Sequence, residues 1–352
     1  MKNDIRFALK MIVLTAALLL PAVISACSSK TGSDLPKTMT KYDLLNTVIT
    51  ISIYDDTKDK VFNDAFNKIS SIDQTMSAVR TDSEISAIAA MAGKSPVQVS
   101  EEAYFVIKEA YDITARSGGA FNLAISPLVK LWGINTPSPY VPNRTEIASV
   151  QKLLDYNDVI LSDTDRSVYL AHEGMSIDLG AIAKGYAGDA AAEIVRDHGV
   201  RHAILDLGGN IVTIGGRPDG TDWRIGVRNP IVGESGYIGV LSIQDKAVVT
   251  SGGYERYFES DGQLYHHIFD GKTGYPAESG LLSVTIISDS STDADKLSTV
   301  AFVLGVRAGM GFLTEYEDTD AIFITTDLEI FLTPGIKDSF VISDDRFCFA
   351  AE

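Results

Sequence analysis

From about residue 157 onward the chain is a succession of short β-rich runs, at 158–161, 167–171, 202–207, 210–214, 223–228, 237–243, 263–269 and 281–288. Only two helical stretches, 181–198 and 293–314, interrupt them. Strands gathered in runs with few helices between them predict an α+β layered architecture, because a doubly wound parallel sheet needs a helix after nearly every strand. The first half opens with a β-branched strand at 44–54. A helix follows at 59–76, where Val61, Phe62, Phe66, Ile69, Ile72 and Met76 recur near helical spacing. A second helix is predicted at 101–116, with Ser100 as its cap and Glu101 and Glu102 in its first turn. Gly133 and three prolines make 133–143 an irregular loop.

The first 26 residues do not belong to this body. Lys2, Arg6 and Lys10 precede an apolar run at 11–20, too short to span a bilayer, and Ile24-Ser25-Ala26 ends it. That pattern is an export signal. Cys27 follows directly, as in the bacterial lipobox, where the thiol is acylated and becomes the new N-terminus. The sequence therefore predicts a signal peptide over 1–26, a flexible tether over 27–40 rich in Ser, Lys, Gly and Pro, and one folded domain over 41–345. The protein would sit lipid-anchored on the extracytoplasmic side of the cell membrane. With Cys27 lipidated, Cys348 has no partner for an intramolecular disulfide.

Composition matters for the ligand. The formal charge is −17 over the whole chain, and removing 1–26, with three basic side chains and one acidic, leaves about −19. Such a surface repels a polyanion and argues against nucleic acid as a partner. A nucleotide is compatible with it only where a metal ion or backbone N–H groups screen the phosphates.

Two motifs meet that condition. In DLGAIAKG at 178–185, Asp178 ends a β-like segment and a small-residue turn opens a helix, so free N–H groups face an anion and Lys184 adds a cation. An ordinary strand-to-helix turn with a solvated lysine fits the same residues. In TDADKLST at 292–299, Thr292 or Asp293 is a candidate cap, and Asp295 and Thr299 lie four residues apart on one helix face. One carboxylate, one hydroxyl and a backbone carbonyl suit Mg²⁺, which takes hard oxygens and keeps phosphate and water as further ligands. An acidic first turn complementing the helix dipole also explains this pattern. Between the two motifs lie GGN at 208–210, TSGGYERYF at 250–258 and HHIFDGKTGYP at 266–276, where glycines adjoin polar groups at strand ends. Of His266 and His267 at most one enters a given site, since adjacent strand residues face opposite ways. No HExxH, CxxC or GxSxG is present, which removes the usual marks of zinc and serine hydrolases.

Taken in order, YDLLNTVITISIYD, the MS and DSEIS pair, GGAFNLAISPLVKLWG, IDLGAIAKGYA, LDLGGNI, WRIGVRNP, TSGGYERYF, HHIFDGKTGYP and ADKLSTVAFVLG resemble the ApbE family of FAD:protein FMN transferases. The resemblance covers nearly all of the chain after the tether. It implies a T-fold-like domain with an additional helical part. It further implies an Mg²⁺-dependent transferase that takes FAD as substrate, attaches FMN by a phosphoester bond to a Thr or Ser of an acceptor protein, such as a membrane redox-complex subunit, and releases AMP. Carried over residue by residue, Asp178 and Lys184 would contact FAD. The carbonyl of Ala181, with Asp295 and Thr299, would hold the metal. Leu45, Phe121, Asn122, Leu123 and Phe269 would line the flavin or adenine pocket, and His267 would stand beside the diphosphate as a catalytic group with Asp295. Asn46 departs from the glycine common in the family, and Asn122 from an aspartate. Two alternatives remain at this stage: an FAD pyrophosphatase using the same site, and a non-catalytic flavin-binding lipoprotein.

Overall fold

The computed structural model describes residues 35–351 apart from Asn135. The export signal, Cys27 and most of the tether lie outside the described residues. At the centre is a nine-stranded sheet whose spatial order follows the chain: Lys37–Leu44, Thr47–Ile53, Ala203–Leu207, Asn210–Ile214, Ala247–Gly252, Leu281–Ser288, Asp320–Thr325, Glu329–Leu332 and Cys348–Phe349. Neighbours pair antiparallel except the last two, which run parallel. The fold is α+β.

One face of this sheet carries the helices. Ile49, Ile51 and Ile53 alternate inward along their strand, while Val61, Phe62, Phe66, Ile69 and Ile72 form the buried stripe of helix Asp59–Met76. Helix Ala183–Asp197 packs against that helix and against Ser291–Leu313. The opposite face is covered by a small sheet of Trp223–Arg228, Tyr237–Ile243 and Phe340–Ile342, whose Leu241 and Phe340 share a core with Val248, Ile287 and Ile322. The additional helical part, Glu84–Ala90, Glu101–Arg116, Ser126–Trp132 and Arg144–Gln151, enters between the second and third strands of the main sheet.

The structure differs from the sequence reading in several places. The strand predicted at 44–54 is the second arm of a hairpin. Leu44 pairs with Thr47, and the two residues between them, Leu45 and Asn46, both adopt left-handed backbone with φ 51° and 56°. Residues 37–40 of the predicted tether are part of the first arm, held by Thr47–Ile53, and the last strand, at 348–349, lies past the predicted domain end at 345. Helix Ser291–Leu313 is capped by Ser290, whose hydroxyl accepts from Asp293 N, and by Asp189, whose carboxylate accepts from the backbone N–H of Ser291 and Thr292. Neither Thr292 nor Asp293 serves as the cap. Finally, strands Ala247–Gly252 and Asp320–Thr325 are not legible in the sequence, because Ala247, Val248 and Val249 in the one and Ala321, Ile322, Phe323 and Ile324 in the other are buried in unbroken runs without the alternation that marks a half-buried strand.

Candidate active site

The helix-bearing face opens into a cavity where the ends of distant segments converge. Leu45 and Asn46 reach it from the hairpin tip. Asn tolerates left-handed backbone better than most residues, which explains how this chain does without glycine at 46; Leu45, for which that conformation is strained, packs against the hydrophobic core. Phe121 and Asn122 enter from the segment after helix Glu101–Arg116, and Phe269 from the strand ending in Asp270. Phe269 is backed by Trp132, with ring centroids 5.6 Å apart. The Asn122 amide donates to Leu154 O at 3.0 Å while its oxygen accepts from Ala124 N at 2.9 Å. An aspartate at this position has no N–H for the first of these bonds.

Leu123 is the one predicted pocket residue that does not reach the cavity. Its side chain is fully buried. Its backbone instead anchors the site, since Leu123 O accepts from Asp178 N at 2.8 Å and Leu123 N donates to Thr114 Oγ1 at 3.1 Å.

The polar wall comes from two helix starts. Asp178 Oδ1 accepts from Gly180 N at 2.7 Å, which shapes the turn on which Ala181 lies. One turn later Lys184 Nζ lies 3.0 Å from Asn210 Oδ1 and 3.4 Å from Asp295 Oδ1. The other Asp295 oxygen accepts from Gly185 N at 2.9 Å. This contact needs glycine, because a Cβ at 185 would come within 2.2 Å of Ser291 O and 2.7 Å of Asp295 Cβ. Asp295 is only 3% exposed. Thr299 lines the cavity four residues on, and Ser251 Oγ lies 3.4 Å from its hydroxyl and 2.8 Å from that of Ser298.

Of the two adjacent histidines, His267 faces the cavity, while His266 packs edge-on against Phe302 and contacts Ala277 O through Nε2. Desolvation, followed by the nearby Arg256 charge, pushes the His267 imidazole down to about 3, and its Nδ1 lies 3.3 Å from Arg256 O. It is neutral at physiological pH. The sequence marks TSGGYERYF as glycines adjoining polar groups at a strand end but does not single out Thr250, Ser251, Glu255 and Arg256, all of which line the cavity. Glu255 is exposed at residue level, yet desolvation of its carboxyl against the wall raises it above the usual carboxylate range, opposed by Lys184 and Arg256.

Among the described residues no cluster of three or more His, Cys, Asp or Glu has metal-holding geometry. The donors expected for the metal, the Asp295 carboxylate, the Thr299 hydroxyl and the Ala181 segment, all line the cavity. Their chemistry fits a hard cation that draws its remaining ligands from phosphate and water, and does not fit zinc or copper.

The model of the ApbE family matches residues 45–323. The chain is 41% identical over 268 residues to the FAD:protein FMN transferase of Klebsiella pneumoniae, covering 76% of this chain and 83% of that one. It is 37% identical over 298 residues to the enzyme of the same name from Treponema pallidum, covering 81% and 82%. Among solved structures, the ApbE protein of Thermotoga maritima superposes with a TM-score of 0.79 at 31% identity, over 86% of this chain and 99% of that one. The flavin transferase ApbE of Vibrio cholerae superposes with a TM-score of 0.77 at 25% identity, with the same coverage. A family model spanning most of the chain and relatives of this identity place it without ambiguity: the chain belongs to the ApbE family.

Proposed function

We propose that this protein is an FAD:protein FMN transferase that uses Mg²⁺, releases AMP and leaves FMN in phosphoester linkage on a Thr or Ser of an acceptor protein. The observation that carries this reading is the meeting of Lys184, Gly185 and Asp295 at one wall of a cavity that Leu45, Phe121, Ile134 and Phe269 line elsewhere with apolar and aromatic side chains. A flavin nucleotide is likewise apolar at its ring and anionic at its diphosphate. The names borne by the relatives support the same assignment.

Phe121, Phe269 and Leu45 supply apolar area for a ring system, and Asp178 and Asn122 offer polar edges beside it. Lys184 carries a positive charge to the diphosphate. Asp295, Thr299 and the carbonyl of Ala181 would hold Mg²⁺, which when bound supplies charge neutralisation at the phosphates. The acceptor hydroxyl oxygen forms a bond to the FMN phosphorus, the bond from that phosphorus to the bridging oxygen breaks, AMP leaves with the oxygen, and the hydroxyl proton passes to solvent or a nearby base. Most of the rate enhancement then comes from positioning and electrostatics. Support for a lipid-anchored, extracytoplasmic location comes from the lipobox-like sequence at 24–27, which follows the basic and apolar segment at 2–20.

The test is to incubate the purified chain with FAD, Mg²⁺ and a protein carrying the candidate Thr or Ser, then follow AMP and the acceptor mass. A mass gain of one FMN residue with stoichiometric AMP supports transfer. Free FMN with unchanged acceptor indicates hydrolysis, and absence of AMP release removes the reading.

A further inference from the structure

Lys184 is held by two oxygens of unequal kind. Its ammonium is closer to the neutral amide of Asn210, at 3.0 Å, than to the charged carboxylate of Asp295, at 3.4 Å. An ammonium beside a carboxylate in a poorly solvated wall normally closes to the shorter separation typical of charge-assisted bonds, about 2.7–2.9 Å. Here the amide restrains it. Asn210 starts strand Asn210–Ile214, directly after the Gly208-Gly209 turn, and is 2% exposed. Its Oδ1 faces the ammonium, which accepts nothing, so its Nδ2 must point away, and that nitrogen is buried without any hydrogen-bond partner.

An unpaired buried amide donor is unfavourable. A side chain present here for packing alone gains nothing from an N–H that finds no acceptor, whereas the oxygen on the same amide makes a defined contact to the one lysine of the polar wall. We infer that Asn210, which does not itself line the cavity, is a positioning residue: it holds the Lys184 ammonium off Asp295 and directed toward the nucleotide phosphates. The GGN motif thereby acquires a role beyond its turn. The strand carries Asn210 to a fixed place because its neighbours Ile211 and Val212 are locked in register with Val248 and Ala247. The inference rests on the reading of the cavity as an FAD site.

Removing the amide lets Lys184 close onto Asp295, so Asn210→Ala mimics the loss of Lys184 without touching it. The experiment is a double-mutant cycle of Asn210→Ala and Lys184→Ala, read by quenching of flavin fluorescence on FAD binding in EDTA, with melting temperatures recorded in parallel. Each single variant is expected to weaken FAD binding about tenfold, and the double variant no more than either alone, because Asn210 has nothing to act on once the lysine is gone. If the two losses multiply to about a hundredfold, or Asn210→Ala binds FAD like the unaltered chain, the inference is overturned. Should Asn210→Ala fail to fold, Asn210→Val, which fills more of the space without an oxygen acceptor, carries the same cycle with the same criterion. Failure of the site reading shows differently, as absence of FAD binding by the unaltered chain.

Discussion

The Lys184 ammonium and the Asp295 carboxylate, 111 residues apart in sequence, lie 3.4 Å apart in the fold, and the next residue after the lysine donates its N–H to the other oxygen of the same carboxylate. The segment at 184–185 thus presents a cation and a dipole to one buried anion. Lys184 therefore has a structural share beside the FAD-binding role proposed for it. Lys184→Ala is expected to weaken FAD binding about tenfold or more, and to lower the stability of the FAD-free protein by about 1 kcal/mol, since Asp295 keeps only the Gly185 N–H. Fluorescence titration and thermal melting measure the two losses separately. A variant with unchanged FAD affinity and a large stability loss contradicts a binding role.

Asp295→Asn keeps the shape and an acceptor for Gly185 N but removes the charge that would hold the cation against the diphosphate. AMP release from FAD should fall by a hundredfold or more, on the order of 3 kcal/mol, while the variant still folds. The residual activity should need much more Mg²⁺. Thr299→Ala is expected to move in the same direction by a smaller amount. Rates at limiting Mg²⁺ decide the matter, and a wild-type rate for Asp295→Asn there eliminates the metal role.

Gly185→Ala tests the close approach of the two helices. The added methyl would overlap Ser291 O and Asp295 Cβ, so helices Ala183–Asp197 and Ser291–Leu313 must separate. Overpacking of this kind costs about 3 kcal/mol. A denaturant melt should show that loss together with reduced activity, whereas a neutral Gly185→Ala means the helices do not meet as described.

His267 gives a pH signature in stability. Its native value is about 3 against 6.5 for the unfolded chain. Above pH 6.5 both states are neutral and pH has no effect through this group. Below it the unfolded state takes up a proton that the native state refuses, so stability falls as pH drops from 6.5 toward 3, by at most about 1.4 kcal/mol per pH unit. His267→Gln should flatten this part of the stability profile relative to the unaltered chain. Parallel profiles for the two proteins show that the imidazole is solvated and titrates normally.

Cys27→Ser removes the thiol on which processing and anchoring would depend. The variant should accumulate as the precursor, with the 1–26 segment attached, and lose the acyl mass on the N-terminal peptide. Mass spectrometry of the membrane fraction checks this, and normal maturation of Cys27→Ser excludes the lipoprotein assignment.

Local order alone was enough for much of this protein. Helices Asp59–Met76 and Glu101–Arg116 fall on the residues that the apolar period of the first and the Ser100 cap of the second indicate, because one buried stripe stabilises the first and the Ser100 hydroxyl, accepting from Ala103 N, starts the second. The α+β class follows from the crowding of strands after residue 157. Asp178, Lys184, Asp295 and Thr299 were legible as motif residues for the same reason, since a turn opening a helix and an i, i+4 pair are short-range patterns. What the sequence by itself did not contain was which of these groups touch. Leu123 matches the same motif as Phe121 and Asn122 yet turns into the core, because its backbone is engaged by Asp178 and Thr114 and its side chain follows. The apolar runs of strands Ala247–Gly252 and Asp320–Thr325 show no alternation because they are covered on both sides, and the Asp295 helix is capped by Asp189, about a hundred residues earlier, as well as by the adjacent Ser290. Asn210 became a partner of Lys184 only where the third and fourth strands of the main sheet meet the helix layer. Contacts of this kind depend on the order in which strands stack and on how closely Gly185 lets two helices approach, and those are decided when the whole core packs.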